Sequence, residues 1–266
     1  MTAVAKTKTD FPLLRSDAGG IATLTLNRPA QRNALARDLM SALEQEFAAL
    51  AKDPSVRVVV VAANGPVFSA GHDLKEMRAN PGREFQDALF RQCSRMMLAI
   101  TRLPQPVIAR VHGPAFAAGC QLVATCDLAV AAASATFSTP GVRIGLFCST
   151  PMIALTRAVP RKAAMEMLLT GEAVDAARAY QIGLVTRVVP ADDLDQAIAG
   201  IARILLAKSA RVLRIGKEAF YRQIEMGLAE AYDYASQVAT ENMMLRDAGE
   251  GIDAFIAKRP PRWTEQ

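Results

Sequence analysis

Two stretches of small residues, Ser69-Ala70-Gly71-His72-Asp73-Leu74-Lys75 and the run 112–122 (HGPAFAAGCQL), hold the residues best placed for chemistry. Each follows an apolar, β-branched run and turns on glycine and alanine, so backbone N–H groups can face a ligand with no side chain between them. Donors fixed in this way before reaction can hold a carbonyl oxygen as it gains negative charge. In other enzymes the loss of one such donor costs about 100- to 1000-fold in rate. Turns of small residues also serve close packing on a sheet, and that reading stays open for either stretch alone. The imidazole of His72 titrates near neutrality and is a candidate acid or base, or else a packing group. Cys148 and Ser149 are candidate nucleophiles, although the sequence shows no base beside them. Ser69 lacks the first glycine of a G-x-S-x-G elbow.

The elements that must position these turns alternate. IATLTL (21–26) reads as a strand that stops at Asn27-Arg28-Pro29, and Leu39, Met40, Leu43, Phe47 and Leu50 fall on one face of a helix over about 36–52. VRVVVVAA (56–63) reads as a strand buried on both faces. An amphipathic helix over 84–102 ends at Pro104 and Pro106. A strand over 106–113, a helix over 117–126 and a fourth strand from Leu128 follow. Residues 135–146 read as strand and turn. From about 160 onward the chain reads as mostly helical, with 184–189 its one strand-like interval. The first 195 residues are therefore expected to form an α/β core, and 196–266 a helical appendage.

The chain has 266 residues, 51% hydrophobic and 21% charged, which fits a folded globular protein and excludes a disordered one. No apolar run approaches the ~18 residues of a membrane-spanning helix. The first 15 residues carry three basic groups and no apolar h-region, so they do not read as a secretory signal and a cytoplasmic protein is expected. Four cysteines without C-x-x-C spacing and only two histidines make no zinc pattern, so no metal is expected and the thiols read as reduced and mostly buried. The net charge of +5 comes from 31 basic residues scattered among 26 acidic ones, which disfavours nucleic acid but permits a phosphorylated metabolite. The basic residues Arg203, Lys208, Arg211, Arg214, Lys217 and Arg222 read as a solvated helix face or an edge between subunits.

Taken in order, LNRPAQRNAL (26–35), VRVVVVAANGPVFSAGHDLKEM (56–77), QPVIARVHGPAFAAGCQLVATCDLAVA (105–131), FSTPGVRIGL (137–146) and LLTGEAVDAARAYQIGLVTRVVP (168–190) resemble the crotonase, or enoyl-CoA hydratase/isomerase, superfamily over most of the chain. The SAGHDLKE, AAGCQL, TPGV and GLFCSTP segments look most like that family's enoyl-CoA hydratase domain-containing protein 3 branch. The resemblance implies an α/β fold, a spiral of ββα units with a C-terminal helical trimerisation region, assembled as a homotrimer or a dimer of trimers. It implies an acyl-CoA or enoyl-CoA thioester as ligand, with coenzyme A part of the substrate and no separate cofactor. The oxyanion hole would be the N–H groups of His72 and Ala118. The adenine would lie against the backbone from Ala70 to His72. Ala30, Gln31 and Arg32 would border the CoA chain, Arg32 as a phosphate contact or a solvated arginine. Lys258 of a neighbouring subunit would approach the nucleotide.

The departures decide the chemistry. Where hydrating members of the family carry two glutamates, this chain has Gln121 and Gly141. At the position where some isomerases and dehalogenases carry aspartate it has Ser149. An amide does not exchange a proton near neutral pH, and glycine has no side chain. The expectation is a protein of fatty-acid or acyl-CoA metabolism that polarises the thioester carbonyl and hydrates poorly. A non-catalytic acyl-CoA-binding or regulatory protein, or an acyl-CoA hydrolase or decarboxylase, are the alternatives.

Overall fold

The computed structural model describes residues 11–264, so the leader reading made on residues 1–15 lies mostly outside the described part. In chain order the elements are β1 (Leu13–Ala18), β2 (Ile21–Leu26), α1 (Arg37–Leu50), β3 (Val58–Ala63), α2 (Leu74–Ala79), α3 (Arg83–Arg102), β4 (Val107–Val111), β5 (Ala115–Phe116), α4 (Ala118–Thr125) and β6 (Leu128–Ala132). There follow β7 (Thr136–Ser138), α5 (Ser149–Ala158), α6 (Arg161–Thr170), β8 (Val174–Asp175), α7 (Ala176–Gln181), β9 (Arg187–Val189), α8 (Leu194–Leu206), α9 (Ala210–Gln223), α10 (Leu228–Met243) and α11 (Arg246–Ile256).

The main sheet runs β1-β2-β3-β4-β6-β9, parallel throughout except for the β1–β2 hairpin. Every residue of β3 is buried, as its unbroken valine run requires of a central parallel strand. Alternation then sorts the side chains onto two faces. Val59, Val61, Ala109 and Val111 meet the apolar stripes of α1 and α3, whereas Val58, Val60, Ile108 and Val130 meet Leu194, Ile198, Ile201 and Ala202 of α8. A second, small sheet, β5-β7-β8, stands beside the first. The two small-residue turns leave β3 and β4 on the same side, which is what brings them together.

Three elements depart from the sequence expectation. Residues 13–18 form a strand where the sequence reading placed no element, β8 adds a strand within the part read as helical, and helix begins at Ser149 rather than near 160. The basic residues of α9 are also not uniformly solvated. The Lys217 side chain is 7% exposed and donates to Ile100 O at 2.9 Å, Gln105 O at 2.9 Å and Asp127 Oδ2 at 2.6 Å. Asp127 further accepts from Val107 N at 2.7 Å and from the Tyr221 hydroxyl at 2.9 Å. Burial pulls the Lys217 ammonium below its ordinary pKa against the opposing pull of Asp127, and burial likewise pushes Tyr221 up. Lys217 and Tyr221 thus tie α9 to the starts of β4 and β6.

Removing one partner of a buried ion pair strands the other. Lys217→Met is expected to cost about 3–5 kcal/mol, read as a lower urea midpoint at unchanged slope. A cost within 1 kcal/mol would show that Asp127 is satisfied by Val107 and Tyr221 alone.

Candidate functional site

Segment 69–72 sits between the loop after β2 and the start of α4. Gly71 has φ +90°, and a Cβ there would lie 2.8 Å from Ala117 Cβ and 3.1 Å from Ala118 N. Only glycine permits both the backbone angle and the contact. The packing is reciprocal: a Cβ on Gly119 would lie 2.7 Å from Ser69 Cβ and run into Ser69 O. Phe116 N donates to Ser69 O at 2.9 Å and joins the two segments by backbone.

This contact places Gly71, the residue before His72, against Ala118 N, and two further bonds orient the peptide groups that carry the His72 and Ala118 N–H. A peptide unit is planar and trans, so fixing its C=O fixes its N–H in the opposite direction. Gly71 O accepts from Leu35 N at 2.8 Å, which orients the His72 N–H. Ala117 O accepts from Gln121 N at 3.0 Å, the first bond of α4, which sends the Ala118 N–H out of the helix N-terminus. Each donor also follows a residue of positive φ, Gly71 in one case and Ala117, at φ +49°, in the other. For alanine that conformation costs of order 1–3 kcal/mol. Neither N–H donates to any group among the described residues.

The His72 side chain turns elsewhere. Its ring packs edge-on against Phe90 with centroids 5.5 Å apart, Nδ1 lies 3.4 Å from Leu35 O, and Nε2 is sealed from solvent without a hydrogen-bond partner among the described residues. The carbonyl can only accept, so Nδ1 carries the proton. Burial holds the His72 pKa below its ordinary value, with the Leu35 bond opposing.

Gln121 is buried on α4, three residues after Ala118, with Oε1 3.9 Å from Cys93 Sγ. Gly141 is buried in the 3₁₀ turn Pro140–Ile144, where its N–H lies 3.4 Å from Cys148 Sγ. A Cβ at 141 would lie 2.9 Å from that sulfur and run into Leu146 O. Cys148 is buried, and burial raises its thiol, as it raises Cys93 and Cys120 to about 12. Ser149 opens α5 in an exposed position, its hydroxyl 3.4 Å from Phe147 O. Ala30, Gln31 and Arg32 form an exposed lip on the turn Pro29–Gln31, and Ala70 N donates to Arg32 O at 3.0 Å, so lip and donor segment are joined. Lys258 lies exposed just past α11 at φ +52°, and no hydrogen bond or ion pair among the described residues brings it to Arg32 or Ala70. The described residues include no group of three or more His, Cys, Asp or Glu suited to a metal.

Two buried polar residues have a supporting part that the sequence did not show: Asn33 was not singled out, and Ser69 was weighed only as a nucleophile. Asn33, at φ +51°, donates Nδ2 to Asn64 O at 2.8 Å and Val67 O at 2.7 Å and accepts from Arg28 N at 2.8 Å. Ser69 donates Oγ to Asn33 O at 2.9 Å and accepts from Gly71 N at 3.3 Å. The available signal was an asparagine between a strand and a helix, since Asn tolerates left-handed backbone.

Comparison with known proteins identifies the family and the fold. The enoyl-CoA hydratase/isomerase family model matches residues 16–266. The rat enoyl-CoA hydratase domain-containing protein 3, mitochondrial, is 46% identical over 92% of this chain and 82% of its own. A crystal structure of enoyl-CoA hydratase from Mycobacterium smegmatis superposes with a TM-score of 0.93 at 53% identity, covering 95% of this chain and 98% of that one. The human domain-containing protein 3 structure gives 0.92 at 45% identity, covering 95% and 100%. The crotonase-like α/β fold expected from the sequence is therefore the fold of this chain, and its likeness to the domain-containing protein 3 branch holds. The cytoplasmic expectation does not hold, because the rat, frog, mouse and human relatives are all named mitochondrial, which points away from the cytoplasm. Its basis was too narrow: a missing apolar h-region argues against secretion, whereas organellar leaders are amphipathic and have no such region.

The buried His72 makes folding sensitive to acid. The unfolded imidazole, with a pKa near ~6.5, takes up a proton that the folded one resists, so stability is lost as pH falls below that value, by up to about 1.4 kcal/mol per unit. Urea titrations at pH 7.5 and 5.5 should show this loss, and His72→Gln should lack that part of it. Equal losses in both proteins would mean that folded His72 protonates normally.

Proposed function

The chain belongs to the enoyl-CoA hydratase/isomerase family, and we propose that it binds acyl-CoA thioesters and polarises the thioester carbonyl between the N–H groups of His72 and Ala118. The observation that supports this reading is the pair of donors, free of partners among the described residues, on peptide groups whose carbonyls are held by Leu35 and Gln121 where Gly71 packs on Ala118. A carbonyl held there is drained of electron density, which acidifies the α-carbon and makes the β-carbon of an enoyl group electrophilic. The exposed lip at Ala30, Gln31 and Arg32 supports a route for the CoA chain past Ala70, with coenzyme A entering as part of the substrate and no further cofactor. The expected setting is fatty-acid or acyl-CoA metabolism.

Proton transfer is the weak step. Gln121 exchanges no proton, Gly141 has no side chain, Ser149 lacks a visible base, and His72 Nε2 is sealed. Hydration is accordingly slow. The crowded turn at Gly141 favours a second reading, an acyl-CoA-binding or regulatory protein, because there is no room there for a carboxylate. A hydrolase or decarboxylase would announce itself by release of free CoA or carbon dioxide.

We further propose that residues 196–266 hold the oligomerisation surface of a trimer or a dimer of trimers. Phe220, Leu228, Tyr232, Met244 and Phe255 on and beside α9, α10 and α11 are largely exposed in the single chain, which is the pattern of an apolar face awaiting neighbours. Light scattering that found a monomer at micromolar protein would count against it.

Calorimetry should find crotonyl-CoA bound more tightly than free CoA, and no heat at millimolar ligand would overturn the reading. Gln121→Glu is expected to raise crotonyl-CoA hydration by up to about 100-fold. Adding Gly141→Glu should forfeit that gain, because the new side chain collides with Leu146 O and Cys148. Wild-type turnover of about 10 per second or more, ordinary for enzymes, would show that another group carries the proton.

A further inference from the structure

Ser69 has no place in the chemistry above, yet it is fully buried and stands where the three segments of the site meet. Its N–H donates to Pro114 O at 3.3 Å and its carbonyl accepts from Phe116 N at 2.9 Å, which fasten it to the strand leading into α4. Gly119, in the first turn of α4, packs directly on its backbone and Cβ. Its hydroxyl faces the other way, donating to Asn33 O at 2.9 Å and accepting from Gly71 N at 3.3 Å. One side chain thus touches the residue just before the His72 peptide, while its backbone touches the segment that carries Ala118.

We propose that Ser69 is a positioning residue for carbonyl polarisation, acting through Gly71 to hold the His72 N–H in line with the Ala118 N–H, with Asn33 as its anchor. The proposal rests on the thioester reading given above. The direction of the His72 N–H depends on the Gly71 O to Leu35 N bond, and two groups determine whether that bond can form. Asn33 fixes the left-handed turn that delivers Leu35, using every hydrogen-bonding group of its side chain except one lone pair. Ser69 Oγ fixes the other edge of Gly71, through the Gly71 amide. Without the hydroxyl, that buried amide loses its acceptor, and Gly71, the most freely rotating residue type, is held by its carbonyl alone. Rotation of the Gly71–His72 peptide swings the donor off the carbonyl oxygen, whereas the exposed lip that would meet the CoA chain keeps its own bonds.

The test is Ser69→Ala, with a cinnamoyl-CoA whose absorption moves to longer wavelength when its carbonyl is polarised, and with free CoA as the second ligand. Wild-type protein should shift the absorption. The variant should lose at least half of the shift and bind the acyl ligand about five- to tenfold less tightly, the size of one net hydrogen bond. Its affinity for free CoA, whose adenine is expected along the backbone from Ala70 to His72, should fall by less than half as much. An undiminished shift in Ser69→Ala, with the wild type shifting, overturns the positioning role and leaves the thioester reading standing. Absence of any shift in the wild type overturns the reading and the positioning role with it. An equal fall in free-CoA affinity marks a general loss of structure and also overturns the specific role. Should the variant not fold, amide exchange in the wild type decides: a Gly71 amide protected like those of Ala70 and Leu35 supports the bond to Ser69, and one that exchanges at open-loop rates overturns it.

Discussion

The close approach of two backbones is the constraint on which the rest of the site depends. Gly71 lies against the backbone and Cβ of the Ala117-Ala118 segment, and Gly119 lies against the backbone and Cβ of Ser69, a glycine at each point. Distances of this kind are available only to residues without a Cβ. They bring the peptide groups around Gly71 and Ala118 together, each with its carbonyl already bonded, to Leu35 N and Gln121 N. The sheet makes the approach possible, since β3 and β4 are parallel neighbours and release their loops at the same edge. The strained Ala117 is part of the same arrangement: its conformation turns the chain from β5 into α4 within one residue, and its N–H is held by Ser138 O at 2.8 Å. The strain is sustained because both flanking elements are anchored, β5 to β7 and α4 to the core.

Hydrophobic period made the framework legible. The valine run of β3, the helical spacing of α1 and the amphipathic run of α3 each announced an element to within a few residues. β1 was illegible because its six residues, LLRSDA, carry charges at Arg15 and Asp17 and no apolar alternation. It is an edge strand paired on one side, where Arg15 can reach Asp17, Glu46 and Asp53 in a part-exposed cluster. The start of α5 was obscured by Thr150-Pro151, although proline is tolerated in the first turn of a helix, where its missing N–H is not needed. β8 is two residues long, below anything a periodic pattern can register.

The site divided along the same line. Turns of small residues pointed to the donors, because what matters there is the absence of side chains, and absence is visible in composition. What holds the donors still was not visible. Asn33 and Ser69 are ordinary polar residues in sequence, and their importance comes from burial and from bonds that span 31 to 36 positions. Lys217 misled in the opposite sense, since a lysine among arginines on a helix reads as solvent-facing until Asp127, 90 residues away in sequence, is placed beside it. Local pattern reports which face is apolar. It does not report which polar residue has a distant partner, and buried polar groups without partners are the expensive ones.

The turn around Gly141 is closed to a side chain: Leu146 N donates to Gly141 O at 2.9 Å, and Cys148 places its sulfur next to the Gly141 amide. The thiol there is buried and pushed toward its neutral form, so it fills volume without offering a charge or a ready nucleophile. Gln121, buried on α4, offers an amide in place of an exchangeable proton. On the thioester reading proposed above, polarisation would depend on backbone donors alone, at the meeting of two loops. Proton transfer would need side chains, and neither Gln121 nor Gly141 supplies one that exchanges a proton.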